Sequence, residues 1–122
     1  MMLTEKDLLK EIIILSPVPS LWKVSYSWDK LGDLIGSIAE INSENKSLSI
    51  AINEDAKLFL SEVLDKCDLT DWIIHQSITD DLGNILFESY DHMTTSLVSP
   101  KFPNKDILVS KYVESDLLDF TS

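Results

Sequence analysis

Apolar residues at helical spacing mark two segments of the chain. The first places four aliphatic side chains on one face, between an N-cap at Thr4 and a stop at Pro17: Leu8, Leu9, Ile12 and Ile13. The second begins after Asn53, a favourable N-cap residue, and runs to about Lys66. Its apolar face carries Leu60, Val63, Leu64 and Cys67. Both segments are therefore expected to form helices that pack on a core, with Cys67 in a buried position.

Alternating apolar and polar residues predict five strands. Two of them, 21–27 and 47–53, lie in the first half of the chain. Three more follow one another closely in the second half, at 72–79, 85–90 and 93–99. The loop before the second of these contains Gly83, where a positive φ is expected, and Asp91 with His92 is expected to form the next turn.

Two stretches remain ambiguous from their pattern. Residues 27–41 carry apolar side chains at helical spacing, but Gly32 and Gly36 weaken a helix, so a hairpin stays open. Residues 104–112 fit a short helix capped by Asn104, although 107–109 also fit a strand. The acidic tail from residue 114 onward is expected to fray.

The order of these elements indicates the fold class. Consecutive strands in the second half are expected to pair antiparallel as a β-meander. A chain of 122 residues fits one domain and buries enough apolar surface to fold without disulfides. We therefore expect a single α+β domain over residues 1–122, with an antiparallel sheet packed against three or four helices. The strand order and the oligomeric state stay open.

The charge of the chain limits its partners. It has 21 acidic residues and 10 basic ones, all of them lysines, which gives a net charge of −11. Nucleic acids and anionic membranes are repelled by such a surface unless basic residues are clustered, and the lysines are spread from Lys6 to Lys111. We therefore expect no nucleic acid and no membrane as a partner. A cationic protein fits the charge best.

Cysteine use and the absence of long apolar runs bear on location. The single cysteine excludes an internal disulfide. No run approaches the roughly 18 apolar residues of a membrane span, and residues 1–10 lack a signal-peptide pattern. The expected location is the cytoplasm.

Motifs that carry chemistry are absent from the sequence. The serines do not form a Gly-x-Ser-x-Gly elbow, and the three glycines are too far apart for a phosphate-binding loop. Glu88, Asp91 and His92, with His75 as a fourth ligand, would suit a divalent metal, but solvated side chains at a turn are the stronger explanation. We therefore expect no enzyme activity, no catalytic residue, no cofactor and no metal.

One window combines acidic and aromatic residues. Between Lys66 and Lys101 the sequence has six acids and no basic residue, and it also contains Trp72 and Met93. Aromatic anchors surrounded by charge are typical of a protein interface. The predicted partner-binding residues are Asp68, Asp71, Asp80, Asp81, Glu88, Tyr90, Asp91 and His92.

The stretch from Trp72 to Pro103, with His75, Gly83, Tyr90-Asp91 and Phe102-Pro103, resembles in its strand-turn-strand style the bacterial immunity proteins of contact-dependent inhibition systems. The resemblance covers about a quarter of the chain and rests on no fixed motif. It implies that the chain neutralises a basic toxin domain, such as a nuclease, by covering its active site. Two alternatives remain: an adaptor or regulatory subunit for a basic protein, and a decoy whose carboxylates imitate nucleic-acid phosphates.

Overall fold

The computed structural model describes residues 3–28, 30–103, 105–113 and 117–120. Within these ranges the helices are α1 (Glu5–Leu15), α2 (Lys30–Ile35), α3 (Glu54–Lys66) and α4 (Lys105–Leu108). Short helical turns occupy Gly36–Ile38, Leu69–Trp72 and Val109–Val113. The strands are β1 (Ser20–Tyr26), β2 (Glu40–Asn42), β3 (Ser47–Ile52), β4 (Ile73–Asp80), β5 (Ile85–Tyr90), β6 (Thr95–Val98) and β7 (Asp119–Phe120).

All seven described strands form one sheet in the order β2-β3-β1-β4-β5-β6-β7. Every pair is antiparallel except β6 with β7, which is parallel. Strands β4, β5 and β6 are neighbours in sequence and in space, so the predicted meander is confirmed. With helices packed on this sheet, the fold is α+β, as the hydrophobic pattern predicts.

Helix α1 begins after the N-cap and carries the buried apolar face that the hydrophobic pattern predicts. The Thr4 hydroxyl accepts a hydrogen bond from the Asp7 amide at 3.3 Å, and the Asp7 carboxylate accepts one from the Thr4 amide at 2.9 Å. This capping box satisfies two amide groups that the first turn leaves unpaired. The four predicted aliphatic residues are all fully buried: Leu8, Leu9, Ile12 and Ile13. The helix ends before Pro17.

Helix α3 packs beside α1 on the same face of the sheet. The Asn53 side chain accepts from the Ala56 amide at 2.8 Å, which is the predicted N-cap. Leu60 and Leu64 are buried, but Val63 and Cys67 are only partly buried. The expectation of a buried Cys67 is therefore met only in part: the residue follows the last residue of α3, is partly buried and packs against the core.

The ambiguous segment 27–41 is mostly helical. Helix α2 and the turn Gly36–Ile38 lead into the short edge strand β2, so Ile41 belongs to a strand instead of the predicted helical face. A Cβ atom at position 36 would lie only 3.0 Å from Ile41 Cδ1. The glycine therefore allows the edge strand to pack close to the helix that precedes it.

The C-terminal segment settles the second ambiguity. Residues 105–113 are helical, so a strand at 107–109 is excluded, whereas the Asn104 cap lies outside the described residues. The tail does not fray at residues 119–120, because β7 pairs with β6 and the preceding Leu118 is buried. Residues 114–116 and 121–122 of the tail lie outside the described part of the chain.

The helices cover one face of the sheet and build the core there. Along β1 the side chains alternate, with Trp22, Val24 and Tyr26 buried beneath the helices while Lys23 is exposed on the other side. On this buried side α1 contacts α3 and α4, and α2 contacts α3. Among the described residues no helix is long and apolar enough to span a membrane.

Candidate functional site

The second face of the sheet carries short polar side chains, and we call it the open face. Its positions follow from the strand registers, because residues opposite each other share a face. One row of cross-strand neighbours is Asn42, Ser47, Ser25, His75, Tyr90 and Thr95. The next row is Glu40, Ser49, Lys23, Ser77, Glu88 and Leu97. An antiparallel sheet that packs on one side exposes such a polar face.

A depression of about 500 Å³ lies on the part of the open face formed by β1 to β4. Four serines form its floor, because their short side chains leave space between longer neighbours: Ser25, Ser47, Ser49 and Ser77. Lys23, His75 and Glu40 contribute charged or titratable groups to its lining. This volume lies within the range of ligand-binding clefts, and its lining offers hydrogen bonds in place of a large apolar surface.

Glu88, Tyr90 and His75 form a connected cluster beside this depression. The Tyr90 hydroxyl donates a hydrogen bond to Glu88 Oε2 at 2.7 Å, and His75 Nε2 lies 4.0 Å from the same oxygen. The rings of His75 and Tyr90 pack with centroids 4.8 Å apart. The hydrogen bond to Glu88 raises the pKa of Tyr90, since the carboxylate favours the protonated phenol. The cluster holds a carboxylate against two rings on an exposed surface.

A second group of predicted residues lies at the end of the sheet where β5 finishes and β4 begins. His92 Nδ1 lies 3.3 Å from the Thr70 carbonyl oxygen, which joins the β5–β6 turn to the segment before β4. Asp71 and Asp91 are exposed in these same two segments. Since Asp91 directly follows Tyr90, this acidic end is continuous with the open face.

Two tryptophans contribute an apolar surface to this end. Trp28 and Trp72 pack edge to face with centroids 5.0 Å apart, and the Ser27 amide donates to the Trp72 carbonyl at 2.8 Å. Trp28 is 49% exposed. Lys30 Nζ lies 5.4 Å from its ring centroid, within reach of a cation–π contact. We call the surface formed by Trp28, Trp72, Asp71, Asp91 and His92 the aromatic end.

The turn within the aromatic end differs from the predicted two-residue turn. Residues 91–94 form it, and Asp91, His92 and Met93 all have positive φ, at 48°, 57° and 67°. Left-handed backbone is unfavourable for residues other than glycine, so surrounding contacts must hold it. Met93 supplies one such contact, since its side chain is 2% exposed and joins the core instead of β6.

Asp80 and Asp81 lie at the opposite end of the sheet, in the β4–β5 loop. Strand β4 separates them from the aromatic end by about 20 Å. The Asp80 carboxylate accepts hydrogen bonds from the Leu82 amide, the Asn84 amide and the Asn84 side chain. These bonds, the Asn84 side chain first, lower the pKa of Asp80. Gly83 has φ +85°, as expected, and this loop is a structural turn.

The predicted partner-binding residues therefore fall into three groups. Glu88 and Tyr90 lie on the open face, four residues lie at or near the aromatic end, and two lie in the distant loop. Asp68 belongs to the second group, but its carboxylate caps the turn Leu69–Trp72 by accepting from the Thr70 amide at 3.0 Å. Among the described residues, no lysine ammonium lies within ion-pair distance of Asp71, Asp81 or Asp91.

Sequence reasoning did not single out Lys23, Trp28 or the four serines of the depression. The signal was present, because Lys23 and the serines are the polar members of strands whose alternation had already been recognised. What alternation lacks is the strand order, which places these polar positions side by side. Trp28 belongs to the stretch 27–41 with apolar residues at helical spacing, yet it lies before α2 and is half exposed.

The proposed metal ligands do not form a site. In the part of the chain that the structure describes, no group of three or more His, Cys, Asp or Glu side chains is arranged to hold a metal ion. Glu88 and His75 are close, but His92 turns toward the Thr70 carbonyl.

Comparison with known proteins gives no relative. No family model, no curated protein and no solved structure matches this chain.

Proposed function

We propose that this protein binds a basic protein domain in the cytoplasm, a cationic toxin such as a nuclease, and blocks it by covering its active site. The observation that carries the proposal is the continuity of the aromatic end with the Glu88–Tyr90–His75 cluster through the adjacent residues Tyr90 and Asp91. Aromatic rings and carboxylates thus lie in neighbouring segments, linked by the adjacent residues Tyr90 and Asp91 and by the His92–Thr70 contact, on a chain with a net charge of −11.

The carboxylates of this surface are available to a cationic partner. Asp71 and Asp91 are exposed and have no lysine within ion-pair distance among the described residues. Exposed charges of this kind accelerate encounter with an oppositely charged protein and exclude other partners more than they add affinity. Affinity in such interfaces comes from desolvated aromatic anchors. Trp28, which is 49% exposed, can act as an anchor, with Trp72 partly buried behind it and the carboxylates as the rim.

The test begins with recovery of the partner. Tagged protein is used to capture the product of the adjacent upstream gene, and the activity of that product is measured in the complex. A tight one-to-one complex with a basic domain whose activity is blocked supports the proposal. A basic partner whose activity is unchanged supports the adaptor function instead, and no complex with that product contradicts the immunity function.

The surface is tested by charge reversal. Asp71→Lys with Asp91→Lys should slow association with the basic partner, and added salt should reduce the difference from the unaltered protein because exposed charges are screened. Glu62→Lys with Asp55→Lys is the matched control, since it makes the same charge change on exposed residues of α3. Equal association rates for the two double variants would show that the aromatic end is not part of the interface.

A further inference from the structure

The open face presents a carboxylate that is arranged to receive a cation. Tyr90 orients Glu88 through its hydrogen bond to Oε2, whereas Oε1 has no hydrogen-bond partner among the described residues. The Glu88 side chain is 24% exposed and the His75 side chain 41% exposed, so both are accessible. A planar guanidinium pairs with a carboxylate and stacks on aromatic rings, and the packed rings of Tyr90 and His75 supply that surface.

Lys23 is a cation on the same face that forms no ion pair with another described residue. It is exposed, and no carboxylate of the described residues lies within ion-pair distance. Its cross-strand neighbours are Ser49 on β3 and Ser77 on β4, whose hydroxyls line the depression beside it. An ammonium flanked by hydroxyl donors is a receptor for a carboxylate.

The spacing of Lys23 and Glu88 is fixed by the sheet. Ser77 on β4 lies between them, paired with Lys23 on one side and with Glu88 on the other. Two strand spacings separate their backbones by about 10 Å, and the two side chains do not lie within ion-pair distance of each other in the structure. In an extended segment, residues two apart point to the same side and lie about 7 Å apart, and the length of an arginine side chain covers the remaining distance, so one partner segment can reach both groups.

We propose that the open face selects its partner through this pair of opposite charges. An arginine or lysine side chain of the partner binds Glu88 against Tyr90 and His75, and a carboxylate two residues away binds Lys23 between the serines. This inference rests on the proposed function and adds the recognition element: a segment of a basic protein that carries one acidic residue at a defined spacing. Charge complementarity at two fixed points rejects partner segments that are uniformly basic.

The test uses short synthetic peptides, so that it does not depend on recovery of the natural partner. The ¹⁵N-labelled protein is titrated with the capped peptide Arg-Thr-Asp to about 5 mM, a range in which millimolar contacts are measurable. The two control peptides replace Asp by Lys or Arg by Asp. The expected result is saturating shifts of the Lys23, Ser77 and Glu88 amides with the first peptide, and weaker binding of both controls.

Charge-neutral variants complete the test. Lys23→Gln and Glu88→Gln should each raise the dissociation constant of the first peptide about two- to fivefold, the range for exposed ion pairs. Lys66→Gln and Glu62→Gln, on exposed positions of α3, should leave this dissociation constant unchanged. Absent shifts, shifts outside the open face, or equal binding of the three peptides would overturn the inference. A toxin complex that tolerates both open-face variants would also overturn it while leaving the proposed function intact.

Discussion

The hydrogen bond between Trp22 and Gln76 provides a quantitative test of how the core is organised. Trp22 Nε1 donates to Gln76 Oε1 at 2.7 Å, and both side chains are fully buried on the helix-covered face. Replacing Gln76 by Leu removes the acceptor and leaves the indole N–H unpaired in the core. A buried donor without a partner costs about 1–3 kcal/mol, so Gln76→Leu should destabilise the protein by that amount.

The reverse change separates this bond from packing. Trp22→Phe removes the donor and part of the ring, leaves the Gln76 oxygen unpaired, and should cost more than Gln76→Leu because a cavity also forms. In the double variant neither group is left unpaired. Its loss of stability should therefore be smaller than the sum of the two single losses by about 1–2 kcal/mol.

The assay is urea unfolding followed by far-ultraviolet circular dichroism, with the unfolding free energy of all four proteins compared in a double-mutant cycle. The losses of unfolding free energy in the two single variants could add up to within about 0.5 kcal/mol of the loss in the double variant. That result would show that the hydrogen bond contributes nothing specific, and it would refute the reasoning. A Gln76→Leu protein as stable as the unaltered chain would refute it as well. In that case the unpaired Nε2 of Gln76 would have been costly enough to offset the lost bond.

Three further predictions concern local contributions to stability. Leu60→Ala should lower the unfolding free energy by about 2–5 kcal/mol because the Leu60 side chain is fully buried. Leu58 is 68% exposed in the same helix, so Leu58→Ala should change the unfolding free energy by less than about 0.5 kcal/mol. Equal losses for the two variants in urea unfolding would contradict the packing described. Thr4→Ala should cost about 1 kcal/mol through loss of the capping box, and unchanged thermal stability would show that the cap is not needed. The folded-state pKa of Asp80 is lowered below its ordinary value of 3.8, so the contribution of Asp80 to the unfolding free energy is present above that pH and is lost as the pH falls through the folded-state pKa. Asp80→Ala should therefore lower the urea midpoint at neutral pH, and the urea midpoint of the variant should fall less below about pH 4 than that of the unaltered protein. Urea midpoints that fall in parallel for the two proteins would exclude this role.

Local sequence patterns determined most of the secondary structure. The capping box at Thr4 and the Asn53 cap lie next to amphipathic stretches, so α1 and α3 follow from interactions within a few residues. Strand β5 matches its predicted range because its neighbours are turns with clear signals, one of them a glycine at positive φ. The β-meander follows from the short spacing of its strands.

The misplaced elements depend on contacts far away in sequence. Met93 was assigned to a strand, but the core takes its side chain and the backbone of residues 91–93 adopts positive φ. Strand β7 exists because β6 offers an unpaired edge to the tail, and no local pattern in the acidic tail indicates this. A partner strand can override weak local preference in this way.

For the candidate surface too, some properties follow from the sequence and others only from the tertiary structure. The sequence determined the net charge, the acidic window without lysine, and the alternation that places Lys23 and Glu88 on the polar side of their strands. Only the tertiary structure decided that Asp80 and Asp81 lie far from Asp91, and that β4 places Lys23 and Glu88 about 10 Å apart. The physical reason is that charge and alternation are properties of the chain itself, whereas the distance between two side chains depends on strand order and register, which non-local packing sets.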